Sequence, residues 1–311
     1  RRQIVVGGGL QAIRTVSIDD GLPEGEAVAL LRDLDPNGDL GLRDEEDVVL
    51  LQAARYCCFN PRALELVASL LSGRRTLTLE QLLADKRLFD EQVVENLVAE
   101  NYRRSSAEER HVMQALAVYD RPVPAEAVRH LARVFFPAAD IDKALAALVS
   151  KFSITHSRGV DLYGLHPLDQ RYAYAKIPDV LWWAPWRKYT KRNLHLWAAD
   201  YYRLYGKPEE SWAKRDDLVE QIAVFDHLCR AGEFDRAFCH LETFDVEYLW
   251  RWGFYDEVVD LRERLQCRLT DENFIEINNG NLGFAFWVVG RVQESKQCLQ
   301  NALAMTEKHG D

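Results

Sequence analysis

No run of about 18 apolar side chains occurs in the 311 residues, so no segment is built to span a bilayer. Positive charge is in short supply: 39 Lys+Arg face 49 Asp+Glu, a formal net charge of −10. A field of that sign does not attract phosphate backbones and sets nucleic acid low among the partner classes. The six cysteines contain no Cys-x-x-Cys pair, so their spacing encodes neither a zinc site nor a disulfide framework, and this usage points to the cytoplasm. Cys239 and Cys267 fall in helical apolar patterns, where a thiol is expected to pack as a small hydrophobe. Also missing is Gly-x-x-x-x-Gly-Lys-[Ser/Thr], the loop and lysine that cradle a triphosphate. Gly7-Gly8-Gly9 does not replace it, because no lysine or helix start follows at the needed distance. No complete catalytic site is present, and the chain alone is not expected to hydrolyse ATP.

What is there belongs to a folded protein. Hydrophobic residues make up 48% and charged residues 28%, which excludes wholesale disorder, and the length suits two or more domains. The N-terminus lacks both an initiator Met and an apolar signal core, and reads as a chain cut from something larger. Ile4-Val5-Val6 and Ile13–Ile18 are short β-branched runs, expected to be remnant strands at the edge of a truncated domain. From Gly21 the period becomes helical, with apolar faces over Glu24–Leu34, Val48–Tyr56, Pro61–Leu71, Leu77–Leu83 and Leu88–Ala99. Asn60 is placed as the N-cap of the third helix, with Pro61 at its first position.

Ser106 and Glu109 form a capping-box signature for the next helix. Pro122 and Pro124 end it, and helices follow at Ala125–Val134 and Ile141–Ser150. Phe152–Thr155 and Val160–Tyr163 then read as a hairpin about Ser157-Arg158-Gly159. Three helices and a hairpin in that order describe a winged helix. All eight tryptophans lie at or beyond Trp182, in a segment without β-runs. Gly232, Gly253 and Gly290 each stand five residues before a small or modest side chain on a following helix. Around the last, Leu282-Gly283, Phe286, Ser295, Leu299 and Ala302 keep tetratricopeptide (TPR) spacing, with Glu307 where the repeat usually has proline. The expected architecture is mainly α: residual strands of a nucleotide-binding domain at 1–20, a helical bundle at 21–100, a winged helix at 101–180 and a TPR-like α-solenoid at 181–311.

Three local motifs in this order resemble the STAND (NB-ARC-type) family of signal-transducing P-loop ATPases, downstream of the nucleotide-binding core. Cys58-Phe59-Asn60-Pro61-Arg62-Ala63-Leu64 is similar to the family's Gly-x-Pro helix start, with Phe59 in place of the glycine. Leu165-His166-Pro167-Leu168 follows the wing, and Ser106–Val123 is similar to the opening of the family's winged helix. The resemblance implies that Pro61 lines an adenine pocket and that His166 contacts the β-phosphate of ADP. It also puts Arg1-Arg2 just after the strand ending in a phosphate-sensing arginine, a role carried to Arg2. ADP or ATP would be held only together with the core that this chain lacks.

Other constellations carry less. Asp35, Asn37, Asp39 and Glu46 have the spacing of an EF-hand calcium loop, although Leu40 stands where the loop needs glycine; a polar interhelical loop is the simpler reading. Trp182-Trp183, Trp186-Arg187-Lys188 and Lys191-Arg192 mix rings and cations, and are read as a packed linker in preference to a nucleic-acid patch. The third winged-helix segment offers only Lys143 as a cation, which argues against base readout. Asp226-His227 and Cys239-His240 carry no metal or catalytic spacing. The function expected is therefore the regulatory and sensing part of a STAND switch. The winged helix holds an ADP-bound off state, the repeats bind a protein or peptide trigger, and self-oligomerisation accompanies activation. The alternatives are a stand-alone helical-repeat adaptor without nucleotide and, behind it, a winged-helix DNA regulator.

Overall fold

A computed structural model describes residues 21–73, 76–157, 159–179 and 188–309. The expected N-terminal strands, Arg2, Trp182, Trp183 and Trp186 lie outside them. The described chain is mainly α, comprising a helical bundle, a winged helix and TPR-like helical hairpins. It divides into two compact units: one runs to Arg104 and includes Lys151–Ser153, and the other takes Ser105–Ser150 and the chain from Ile154.

The first unit contains α1 (Glu24–Asp33), α2 (Asp47–Tyr56), α3 (Pro61–Ser72), α4 (Leu79–Leu83) and α5 (Val93–Arg104). At its centre is α3. The Asn60 side chain accepts from the backbone N–H of Arg62 (2.9 Å) and Ala63 (3.2 Å), and Pro61 supplies the preset first φ. Ala63, Leu64, Leu66, Val67, Ala68, Leu70 and Leu71 are then buried on nearly every face. Leu31 of α1, Leu50 and Ala54 of α2 and Leu97 of α5 add to the same core. One polar seam crosses it, where Ser69 Oγ donates to Asn101 Oδ1 (2.8 Å) and Asn101 Nδ2 donates to Ser153 Oγ (3.0 Å). Helix α5 starts at Val93, later than the apolar period at Leu88 indicates, because Lys86–Leu88 form a separate 3-10 turn.

The second unit opens with α6 (Ala107–Tyr119), α7 (Ala125–Phe135) and α8 (Ile141–Ser150), then β1 (Thr155–Ser157), β2 (Leu162–Gly164) and α9 (Pro167–Ala175). The Ser106–Glu109 capping box is formed in both directions. Strands β1 and β2 are antiparallel with His156 opposite Tyr163, and Val123 bridges to Tyr163 from the other side. The hairpin begins at Thr155 instead of Phe152. Phe152 has a left-handed φ of 56°, which no strand tolerates, and Ser153 is tied into the polar seam.

The repeats follow as α10 (Lys191–Tyr205), α11 (Val219–Arg230), α12 (Phe234–Leu241), α13 (Tyr255–Glu263), α14 (Glu272–Val288) and α15 (Val292–His309), with a π-helical turn at Asp245–Trp250. Gly232, Gly253 and Gly290 sit in the turns before α12, α13 and α15 with φ of 78°, 84° and 84°. A Cβ at any of them would meet nothing within 4 Å, so backbone conformation and not space accounts for glycine there. Gly283 is the opposite case: a Cβ would lie 2.8 Å from Leu299 Cγ and 3.2 Å from Cys298 Cβ, so its absence lets α14 and α15 approach. Two thiols depart from expectation, since Cys239 and Cys267 are exposed. Cys267 sits past the end of α13 with φ 61°, and the buried thiols are Cys57 and Cys298.

Gly283→Val is expected to lower unfolding free energy by about 1–3 kcal/mol through overpacking against Leu299 and Cys298. Chemical denaturation followed by circular dichroism checks this, and an unchanged midpoint would show that the helix pair opens without cost.

Candidate functional site

His166 closes the corner between the wing and α9. Its backbone is extended (φ −63°, ψ 142°), Pro167 fixes the first helical position, and Nδ1 accepts the backbone N–H of Leu168 at 3.3 Å. In a neutral ring that bond assigns the proton to Nε2, so the imidazole presents a donor at a helix N-terminus, where partial positive charge favours an anion. The side chain is 40% exposed, and Nδ1 lies 3.9 Å from the carboxylate of Asp169, whose side chain is fully buried. A donor so placed suits a phosphate oxygen.

Pro61 belongs to the other unit, where it is exposed at the head of α3. Cys58 and Phe59 before it adopt left-handed φ of 51° and 54°, and Phe59 O accepts from the N–H of Leu22 (2.9 Å). Phe59 thus takes the conformation that glycine adopts most cheaply, at the position where the STAND-like motif carries glycine. An exposed proline ring suits one face of a planar base.

The Asp35 loop is organised by backbone groups. The Asp35 carboxylate is buried and accepts from the N–H of Leu40 (3.1 Å), Leu42 (2.9 Å) and Arg43 (3.3 Å). Asn37, Asp39 and Glu46 are exposed, and Glu46 serves as the N-cap position of α2. Among the described residues no three or more His, Cys, Asp or Glu side chains are grouped to hold a metal.

The most perturbed groups are ones whose spacing gave no signal. His195 on α10 and His227 on α11 are buried and share an Nδ1···Nδ1 hydrogen bond of 2.9 Å, while His195 Nε2 meets Tyr174 Oη of α9 at 2.9 Å. One ring must donate and the other accept, so at most one of them can carry a charge, and burial disfavours the charged form of each. His227 stacks on Tyr202 at 5.7 Å and meets the Tyr119 ring edge-on at 6.0 Å. Tyr119 Oη in turn donates to Ala127 O on α7 (2.9 Å). Burial, with Arg230 adding to it and Asp120 opposing, pushes His195 down to about 4. Burial pushes His227 well below the ordinary range, reinforced by His195, Arg230 and Arg121. Around this core Asp120 accepts from Arg230 (2.6 Å) and Asp226 accepts from Arg264 (2.6 Å). Only the Asp226-His227 pair was visible beforehand, and its neighbours on α6, α9 and α10 emerge from packing alone. This network orders the junction.

The chain resembles a STAND protein. The solved structure is that of a Signal Transduction ATPase with Numerous Domains with a tetratricopeptide repeat sensor from Pyrococcus horikoshii, at 14% sequence identity and a TM-score of 0.47. The similarity covers 94% of this chain and 42% of that one, so this chain spans less than half of its length. No protein-family model and no curated protein matches the sequence. No helix among the described residues is long and apolar enough to cross a membrane.

Two outcomes are expected. An unfolded histidine titrates near 6.5, so on acidification the denatured chain takes up protons before His195 and His227 do. Stability is therefore full above pH 6.5 and falls as pH drops toward 4, by about 3 kcal/mol for His195 alone. Urea midpoints at several pH values check this, and His227→Phe should flatten the slope at a cost of about 1–3 kcal/mol near pH 7.5; an unchanged slope would show that the pair does not titrate on unfolding. For the Asp35 loop, millimolar calcium is expected to leave Tm unchanged, whereas a rise of several degrees would mean that the loop binds the ion.

Proposed function

We propose that the chain is the regulatory and trigger-sensing portion of a STAND-type nucleotide switch. The observation that carries this is the His166 corner: a half-exposed imidazole donor at the start of α9, directly after the wing, in a chain that also holds a Pro61-headed helix and helical repeats. When bound, ADP would supply the diphosphate whose negative charge the His166 donor and the first turn of α9 can hold. Pro61 would pack against the base.

The chain's own residues suit that division of labour. Nδ1 of His166 is occupied by Leu168, so the ring is oriented without help from a ligand. The winged helix and the first repeat share the Tyr119–Tyr202–His227 cluster, and Tyr174 of α9 bonds His195 of α10, so a load placed on the repeats would reach the helix that His166 begins. For a trigger to switch the protein, it must prefer the state in which the winged helix has released nucleotide, since a ligand indifferent to the two states shifts neither. Protein or peptide ligands suit the exposed rings and aliphatic groups of the repeats, among them Trp287, Phe284 and Leu303. Oligomerisation on release and a cytoplasmic setting belong to the same proposal, as does the division into strand remnant, bundle, winged helix and repeats at 20, 100 and 180.

In the complete protein, His166→Ala is expected to weaken ADP retention about tenfold, the loss of one charge-assisted hydrogen bond. Nucleotide content of the purified variant, measured by chromatography after denaturation, checks it. ADP content equal to that of the parent protein would overturn the role of His166 and favour the nucleotide-free adaptor.

A further inference from the structure

A groove among the repeats is left unused by the nucleotide reading. About 500 Å³ in volume, it is lined by Arg203 near the end of α10, by Arg236, Cys239 and His240 of α12, and by Phe274 in the first turn of α14. That volume falls within the range of natural ligand sites. Phe274 stacks on Phe238 at 4.7 Å, which fixes an apolar wall, and the exposed Cys239 thiol adds a second weakly polar group.

The two arginines of the lining are held only loosely. Arg203 lies 3.6 Å from Asp200 and Arg236 lies 3.7 Å from Glu233, each a neighbour three positions away, and neither guanidinium makes a hydrogen bond among the described residues. Their side chains are 36% and 50% exposed, so the donors are open to a visitor. Glu233 is also engaged by Arg192. Asp235, the acidic residue of the lining, already accepts from the backbone N–H of Thr270 (2.9 Å) and from its hydroxyl. His240 donates Nε2–H to Gln221 O (3.1 Å), and burial, with Arg203 adding to it, holds the ring down to about 4, so it brings no charge at neutral pH.

Each guanidinium therefore offers a planar pair of N–H donors, the geometry that a carboxylate matches with two parallel bonds. A lysine or arginine on the visitor would be repelled by both. A nucleic acid asks for a band of cations, and the lining supplies two, against Asp235, in a chain of net charge −10. The two forks stand on different helices, each with its own loose acidic neighbour, so they suit two carboxylates spaced along one segment in preference to a single dianion. We propose that this groove reads an acidic segment of a protein partner, Arg203 and Arg236 each taking one carboxylate while an aliphatic side chain between them packs on Phe274. The proposal deepens the reading of the repeats as the trigger-binding part and rests on it.

The test uses the capped hexapeptide acetyl-Glu-Leu-Glu-Glu-Leu-Glu-amide on the intact chain, with binding followed by ligand-observed NMR. The expected dissociation constant is about 1 mM at low ionic strength, rising as NaCl is added. The counterpart with glutamine for glutamate should bind about tenfold more weakly. Arg203→Gln and Arg236→Gln should each weaken the hexapeptide about threefold and the double variant about tenfold, with Tm within about 2 °C of the parent. Cys239 reports the place: hexapeptide at about 10 mM should slow its alkylation by iodoacetamide at least threefold, while Cys58 and Cys267, exposed elsewhere, react as before. Equal binding of the glutamate and glutamine peptides, undiminished binding to the double variant, or unchanged alkylation of Cys239 would overturn the groove, as would no binding at about 10 mM. Displacement of the hexapeptide by an equal concentration of inorganic phosphate would mark a small-anion site and overturn it too. The ADP content of His166→Ala is a separate readout, so the switch reading and the groove can fail independently.

Discussion

One ring, Tyr119, ties the second unit together. It is buried at the end of α6, bonds through its hydroxyl to α7, and lies edge-on to Tyr201 and Tyr202 of α10 and His227 of α11. Burying an aromatic side chain of this size, with its hydroxyl satisfied, is among the larger single contributions a core can receive. Because its partners come from both the winged helix and the first repeat hairpin, neither can complete its core without the other.

The His195–His227 bond is the polar counterpart of that aromatic cluster. Two imidazoles bonded nitrogen to nitrogen, with a tyrosine hydroxyl on the outer side, require α9, α10 and α11 in one arrangement. A buried network of this kind is favourable only when its members are satisfied, so it fixes the junction in one arrangement. Farther along the chain, left-handed glycines turn one helix into the next, and the helices beyond α12 present their rings outward. Buried polar bonding thus centres on the junction of α9, α10 and α11, and much of the exposed apolar surface lies on the far repeats.

Much of this was legible in the residues because it is local. Asn60 before Pro61, Ser106 with Glu109, and glycine at the helical turns all announce themselves within a few positions, and each is realised. The order of three helices and a hairpin was likewise readable from changes of period. The hairpin register was not, because Phe152 is withdrawn from the strand by a left-handed φ and Ser153 by a bond to Asn101, 52 residues away. Apolar periodicity also misplaced Cys239, since it cannot distinguish a helix face turned to solvent from one turned inward, and Cys267, which lies past the end of α13 in a left-handed turn. The histidine pair and the buried Arg262–Asp245 ion pair join residues 32 and 17 positions apart through tertiary packing, and no spacing rule anticipates them.

The central claim is that the winged helix and the first repeats form one cooperative body, as the proposed switch requires. Native-state hydrogen exchange across a denaturant series tests it most directly, by comparing core amides of α6 with those of α11. A single body requires the two sets to converge on one opening free energy and one denaturant dependence. Exchange of α11 through a separate, lower-energy opening that leaves α6 protected would contradict it.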